Sequence, residues 1–526
     1  MRKSIFITLL LCITIATQAF CFSPTEKPSK KNKVTIENTQ FKDQLGRQLI
    51  LNGINLVNKN PKVNYIGPED ESTFRNFKKW GFNVIRLGII WDGLEPEPGK
   101  YDEAYLQKID KQIEMAAANG LFVFLDMHQD LFSVKYADGA PRWATLDEGK
   151  PHHTGAIWSD AYMISPAVQT AWDNFWKNAP INGKLGIQDH YAQAWKHVAK
   201  RYKNNPTVIG FDIMNEPFVG SQAQQYMPLL FGAYAQLISK ETGKEMTIQE
   251  VAAMWQNTAS RFEALQKVSD KKRFAKVIDA VYQINSQFEA GPLQAFYQKV
   301  ANAIRSVDNH KILFFNHSYF CNSGVTTALK PMTLPNGKKD AQVAYAAHGY
   351  DLLVDTDQLS SSSDGRLQHI FQRINESGQR MNVPVLIGEW GALGGHEPGR
   401  IQLAYKNLRF IEKYQFSNTY WAYGKGTEDY PYFKALIRPY PEAICGQLKS
   451  YHFDETKSLF TCQWEESASV NASNRIFIPA IKSIPKNQIK LNGKYSIELI
   501  PGSNNGYLII PAIGKKVTRK LTIQLQ

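Results

Sequence analysis

Cysteine is scarce in this 526-residue sequence, with five in all: Cys12, Cys21, Cys321, Cys445 and Cys462. None sits in a Cys-x-x-Cys pair and the histidines show no ligand spacing, so neither a metal site nor a cofactor is expected. Cys445 and Cys462 lie close together near the C-terminal end and are the candidate disulfide pair of an exported chain. Long apolar runs are missing too. Beyond residues 5–15 no stretch approaches the roughly 18 residues of a spanning helix, so a soluble mature protein is expected. Concentrated charge is also lacking. The formal charge is +13, but Lys and Arg are scattered. The one tight cluster, Lys27, Lys30, Lys31 and Lys33, lies in a Pro/Ser-rich segment and reads as a solvated linker, so nucleic acid is not expected as a partner. Anionic lipid surfaces or acidic glycans suit the charge better.

At 43% hydrophobic and 21% charged, the composition is that of a folded chain. Aromatics reach 12%, which suits a sugar-binding cleft or a large core. Arg2-Lys3, an apolar run and Thr17-Gln18-Ala19 read as a secretory signal over residues 1–19, followed by a basic linker over 20–33. The protein is therefore expected to be secreted or periplasmic.

From 34 to 435 one theme repeats. After an apparent hairpin of 34–37 with 48–52, apolar, β-branched runs occur at 53–56, 82–87, 121–127, 208–214, 312–315, 343–347, 385–388 and 419–422. Amphipathic helical stretches separate most of them, as at 71–80, 105–119, 190–202, 293–307, 366–379 and 401–414. Eight buried-type strands alternating with helices predict an α/β fold, a (β/α)8 TIM barrel with insertions. The doubly wound alternative lacks a glycine fingerprint after its first strand. Long insertions follow the third strand (131–180) and the fourth (218–289), on the face where barrel enzymes keep their sites. Over 436–526 short alternating strands and turns predict a small all-β sandwich domain.

Two carboxylates fall where chemistry is expected. The fourth strand runs out in Asp212-Ile213-Met214-Asn215-Glu216-Pro217 and the seventh in Gly388-Glu389-Trp390-Gly391. At the mouth of a barrel these glutamates would face one another. Glycoside hydrolysis needs such a pair, one carboxyl with a raised pKa to protonate the leaving oxygen and one ionised at the anomeric carbon.

These strings resemble glycoside hydrolase family 5, over most of residues 48–425. Arg86, the string Asp126-Met127-His128-Gln129-Asp130, the string Ala347-His348-Gly349-Tyr350, and Trp421 fall at matching places. Within the family, residues 125–130, 51–55 and 91–96 and the C-terminal β domain are most similar to endoglycoceramidases, which cleave the bond between a glycan and ceramide. The resemblance implies a retaining β-glycosidase with Glu389 as nucleophile and Glu216 as acid, then base. It implies that Asn215 bonds the sugar 2-OH, that Tyr350 and Arg86 steer Glu389 and keep it ionised, and that His128 and His348 hold sugar hydroxyls or Glu216. Asp130 and Lys59 become candidates for the non-reducing side, with Trp421 stacking on the sugar. Trp172 or Trp176 either stacks on sugar or packs.

A ceramide leaving group needs an apolar slot beside Glu216, and Met227, Leu229, Leu230, Phe231 and Leu237 at helical spacing form either that slot or a lid core. Such a substrate implies transient contact with a membrane or micelle surface. Gly349 and Lys425 depart from the family pattern and are expected to alter which sugars fit. Two other readings stay open: a β-glucosidase or endo-β-glucanase acting on soluble or sterol-linked glycans, and a catalytically dead carbohydrate-binding protein.

Overall fold

A computed structural model describes residues 34–525. The expected leader and basic linker, with Cys12 and Cys21, lie outside the described residues. Three short strands come first, β1 (Thr35–Glu37), β2 (Gln40–Lys42) and β3 (Gln48–Leu49). Eight parallel strands then close into a barrel: β4 (Asn52–Leu56), β5 (Val84–Ile90), β6 (Phe122–His128), β7 (Val208–Asp212), β8 (Ile312–Phe315), β9 (Val343–Gly349), β10 (Val385–Trp390) and β11 (Ser417–Tyr420). They follow one another around the ring, and β11 pairs back onto β4. These are the eight apolar runs read from the sequence.

The helices between them form for local reasons. Glu71–Lys79 starts at Asp70, whose carboxylate accepts from the Ser72 and Thr73 amides, and it buries Phe74 and Phe77 against the barrel. Asp364–Met381 is capped by Ser363 and stops at Asn382, which takes the left-handed conformation.

The barrel interior is layered. Val84, Phe124, Ile312, Phe314, Ala344 and Leu386 fill it at the N-terminal end of the strands. Two residues further along β5 and β6 the same inward face carries Arg86 and Asp126, because side chains on a strand repeat every second residue. On β10 that alternation would put Glu389 on the outer face with Ile387. A register shift between these two residues instead sets Glu389 opposite His348.

After the barrel come β12 (Tyr440–Ile444), β13 (Gly446–Asp454), β14 (Leu459–Glu466), β15 (Asn474–Ile478), β16 (Ile489–Leu491), β17 (Ser496–Leu499), β18 (Gly506–Ile510) and β19 (Val517–Gln524). They form a four-stranded sheet, β13-β14-β19-β16, and most of a seven-stranded one, β1-β2-β3-β12-β15-β18-β17. Trp464, Phe477, Leu508 and Ile523 pack between them, which is the expected sandwich. The apparent N-terminal hairpin is instead a three-stranded meander, since β2 separates β1 from β3. Its Phe41 packs with Phe314, ring centroids 6.2 Å apart, so the meander plugs the barrel floor.

Cys445 and Cys462 are not bonded to each other; both are free and buried. Ser467 bonds the Cys445 carbonyl, five residues along β14 from Cys462. At ~3.3 Å per residue that is roughly 16 Å, far beyond disulfide reach. The Cys445 thiol donates to the Ala472 carbonyl instead, at 2.8 Å.

Both predicted insertions are present. The second is helical: Ala223–Thr242, Ile248–Gln256, Thr258–Lys267, Lys271–Ile278 and Tyr282–Phe288. Among the described residues no helix is long and apolar enough to cross a membrane.

Candidate active site

At the centre of the mouth lies Arg86, fully buried. Its Nε donates to Asp212 at 2.8 Å and its Nη1 to Asn55 at 3.0 Å and to Glu389 Oε1 at 2.6 Å. Its Nη2 donates to Asn215 Oδ1 at 3.0 Å and lies 2.9 Å from Asp126. A register shift between β6 and β7 brings Asp126 and Asp212 level. One planar guanidinium thus ties β4, β5, β6, β7 and β10 together, in a geometry that a lysine does not reproduce. Three carboxylates around it overcome the cost of burying the cation and hold its pKa above normal.

The two predicted glutamates meet over this layer. A carboxyl oxygen of Glu216, one of Glu389 and a ring nitrogen of His348 lie within 4.8 Å of one another. Such closeness suits the short separation of retaining glycosidases, about 5–5.5 Å between the carboxyl groups. Glu389 accepts from Arg86 on one oxygen and from the Tyr350 hydroxyl, at 3.1 Å, on the other. Glu216 has different surroundings. Its Oε1 contacts Asn322 Nδ2 at 2.7 Å and His348 Nδ1 at 2.8 Å. Burial first, and the Asp130 charge second, push its pKa up to about 8, while His128 and Arg86 pull the other way. Burial drops His348 to about 4, so its ring is neutral.

Glu216 sits at φ 41°, in the left-handed region where a side chain is strained by about 1–3 kcal/mol. Its surroundings hold it there. Its amide donates to Asn316 at 3.2 Å, and the Gln129 side chain donates to the carbonyls of Asn215 and Glu216 at 2.8 and 3.2 Å. Asn215 spends Oδ1 on Arg86 and one N–H on the Gln129 carbonyl, which leaves one donor hydrogen.

A second polar cluster flanks the pair. Lys59 bonds Asp130 and lies 3.7 Å from Asp138. Burial works against the Lys59 charge, but the two aspartates outweigh it and raise its pKa. Asp130 is lowered against the pull of burial by Lys59 and His128, whereas burial and the Asp130 charge raise Asp138. His128 is pulled down by burial and by Lys59. Asp126, 2.8 Å from Nδ1, and Asp130 win, and its pKa is pushed up to about 10. The His128 ring stacks on Trp421 at 5.0 Å and 12°, and Lys59 Nζ stands 4.8 Å from the centroid of the same indole. The Trp421–Ala422 peptide bond is cis. His128, Asp130 and Asp138 are residue types that bind metals, but here the Lys59 ammonium already stands between the aspartates as their counter-charge.

A single cavity of about 600 Å³ is lined by both glutamates and the second polar cluster and continues into the second insertion. From the barrel mouth Lys59, Asp130, Glu389 and Trp421 line it, and from the second insertion Met227, Leu230, Phe231, Val251, Trp255 and Leu265. Of the five residues at helical spacing, Met227, Leu230 and Phe231 face the cavity, Leu229 is 43% exposed and Leu237 is in the core. Trp172 is fully buried and stacks on Trp176, whose Nε1 donates to the Phe218 carbonyl at 2.8 Å, so both serve packing. It is Trp158, from the same insertion, that lines the cavity, bonded to Asp355 at 2.8 Å. Neither departure from the family pattern, Gly349 or Lys425, lines the cavity. A Cβ on Gly349 would point at Ile370, and Lys425 is exposed and not part of the cavity wall.

Comparison with known proteins decides the family. The model of the cellulase family, glycosyl hydrolase family 5, matches residues 43–427, and that of the family 5 C-terminal domain matches 438–515. The chain belongs to glycoside hydrolase family 5. It is therefore a glycoside hydrolase, and the dead-barrel reading falls. Among curated family 5 relatives, endoglycoceramidase I of Rhodococcus hoagii is 26% identical over 84% of this chain and 79% of its own length. A glucosylceramidase of Aspergillus fumigatus is 28% identical over 35% of this chain and 32% of its own. Endo-glycoceramidase II from a Rhodococcus species, solved with a five-membered iminocyclitol, superposes with a TM-score of 0.69 at 25% identity. The match covers 92% of this chain and 99% of that one.

In this family 5 site the structure gathers all ten residues expected from the sequence. Sequence reasoning missed the residues that hold them: Asn55, Asp126 and Asp212 on Arg86, Asn316 and Asn322 on Glu216, and Asp138 on Lys59. Asp126 and Asp212 lie inside the strings that mark the strand ends, at the spacing of an inward face. Asn322 has no such signal.

Proposed function

We propose that this chain is a retaining β-glycosidase that hydrolyses the bond between glycan and ceramide in glycosphingolipids. One observation carries the reading: a single cavity is lined both by the carboxyl pair and polar cluster of the barrel mouth and by apolar side chains of the second insertion. A substrate with a polar sugar and a long apolar leaving group matches that division, whereas a soluble glucan makes no use of the apolar half.

The roles follow from the surroundings. Glu389, kept beside Arg86 and steered by Tyr350, attacks the anomeric carbon and forms a glycosyl–enzyme bond. Glu216, whose pKa of about 8 keeps it protonated at neutral pH, gives its proton to the departing ceramide oxygen. Asn322 donates to Oε1, and Oε2, for which the described residues offer no hydrogen-bond donor, is the oxygen that carries the acidic proton to the substrate. Glu216 then takes a proton from water, which hydrolyses the intermediate with net retention. The remaining N–H of Asn215 reaches the sugar 2-OH. Trp421 stacks on the sugar, and Lys59, His128 and Asp130 bind hydroxyls on its non-reducing side.

The leader read over residues 1–19 supports a secreted or periplasmic enzyme that meets the glycolipid at a membrane or micelle surface. The apolar wall also suits a sterol, so a sterol-linked glycoside is the second reading. A fluorescent glycosphingolipid, a sterol glucoside and a soluble β-glucan, each offered with and without detergent, separate the readings by which one releases product.

A further inference from the structure

A buried carboxylate outside the reacting centre stands out. Glu289 is fully buried in the π-helical turn Glu289–Leu293, directly after the helix Tyr282–Phe288 that ends the second insertion. It does not line the cavity. Its Oε1 accepts from the Ser318 amide at 2.9 Å, with Cys321 Sγ at 3.4 Å. Its Oε2 accepts from Thr327 Oγ1 at 2.8 Å and from the Ala328 amide at 2.6 Å. One carboxylate thus grips both stems of the loop that follows β8. The turn Tyr319–Ser323 lies between the stems, and from it Asn322 reaches Glu216 Oε1 at 2.7 Å. Asn285, on the preceding helix, holds the same loop through Ser318 Oγ at 2.7 Å and Cys321 Sγ at 3.3 Å.

A buried charge is costly and is poor evidence for stability as such; apolar packing would hold two segments together as well. What the carboxylate adds is direction, because its acceptor positions fix where each stem's N–H and O–H must lie.

We infer that Glu289 is a positioning residue for proton donation: by clamping the loop after β8 it aims the Asn322 amide at Glu216. This rests on the reading of Glu216 as general acid. The second insertion, which walls the apolar half of the cavity, is thereby joined through its last turn to the group that protonates the leaving oxygen.

General-acid help is worth about 10²–10⁴-fold for a poor leaving group and little for one already acidic, so the leaving group is the readout. In Glu289→Gln, kcat/KM on an alkyl β-glycoside or glycolipid should fall by about tenfold or more, with the dinitrophenyl β-glycoside within about twofold. Thr327→Val removes one hydrogen bond to Glu289 more gently and should show the same split if Glu289→Gln does not fold; Thr327→Ser should restore activity. Since Glu289 acts through Asn322, Glu289→Gln combined with Asn322→Ala should be no slower than Asn322→Ala alone. Equal losses on both substrates, or additive losses in the double variant, overturn the inference. Glu216→Ala is the control. If it shows no leaving-group split, the reading of Glu216 itself fails. If it does and the Glu289 and Thr327 variants do not, only the positioning role fails.

Discussion

Arg86 Nη1 lies 2.6 Å from Glu389 Oε1, and both side chains are buried at the end of the barrel interior. The same guanidinium holds Asp126 and Asp212, so it serves the fold and the site together. Taking one partner from a buried ionic cluster costs about 3–5 kcal/mol, because the groups left behind stay desolvated. Arg86→Met should therefore lower the urea midpoint sharply. Arg86→Lys keeps the charge but not the fork; it should recover part of the stability and still lose most of the activity. Wild-type melting of Arg86→Met would show that the cluster bears no such weight.

The carboxyl pair makes separate predictions for its two members. Glu389→Gln should abolish nearly all turnover. Glu216→Ala should spare the first step on acidic leaving groups, and added azide should restore turnover as a β-glycosyl azide, since a small anion needs no general base. The first sugar released from a β-glycoside, followed by NMR, should be the β anomer. An α anomer first would place the pair in the inverting class.

The raised pKa of Glu216, about 8, should appear twice. On a glycolipid, kcat/KM should fall on the alkaline side with a midpoint near that value, since the acid must carry its proton. The same group affects stability. Its folded pKa lies above its ordinary value of 4.5, so the folded state binds more protons between the two, and stability falls as pH rises through about 8. Glu216→Gln carries no such charge. Its Tm relative to wild type should rise between pH 6 and 9, and a difference that does not change with pH would contradict the assignment.

Much of this was legible in the sequence. The eight barrel strands were, because a strand covered on both faces reads as a continuous apolar run. The catalytic strings were, because they end those runs. The N-terminal meander was not: β2 offers only Phe41 between two polar residues, too short for a period. The Glu389 register shift leaves no trace in a pattern of alternation. Asn322 was invisible for a different reason. It reaches Glu216 from a loop 106 residues further along the chain, and an isolated asparagine in a loop reads as a turn former. The pairing of Cys445 with Cys462 failed because closeness in sequence says nothing about strand register.

The apolar wall can be probed without touching the chemistry. Burying one apolar side chain contributes about 1.5–3 kcal/mol, so polar replacements at Met227, Leu230 or Phe231 should cut kcat/KM on a glycosphingolipid by about tenfold or more. A small aryl glycoside, whose leaving group does not extend to that wall, should barely change, and neither should Tm. Parallel losses on both substrates together with a lower Tm would make these residues a lid core.

The central claim is that the bond broken joins glycan to lipid. Its most direct test is the product pattern from a fluorescent glycosphingolipid carrying more than one sugar. The account predicts fluorescent ceramide together with the intact glycan, and no shortened glycosylceramide at any time point. Stepwise loss of sugars from the non-reducing end, or release from a soluble β-glucan alone, would contradict it.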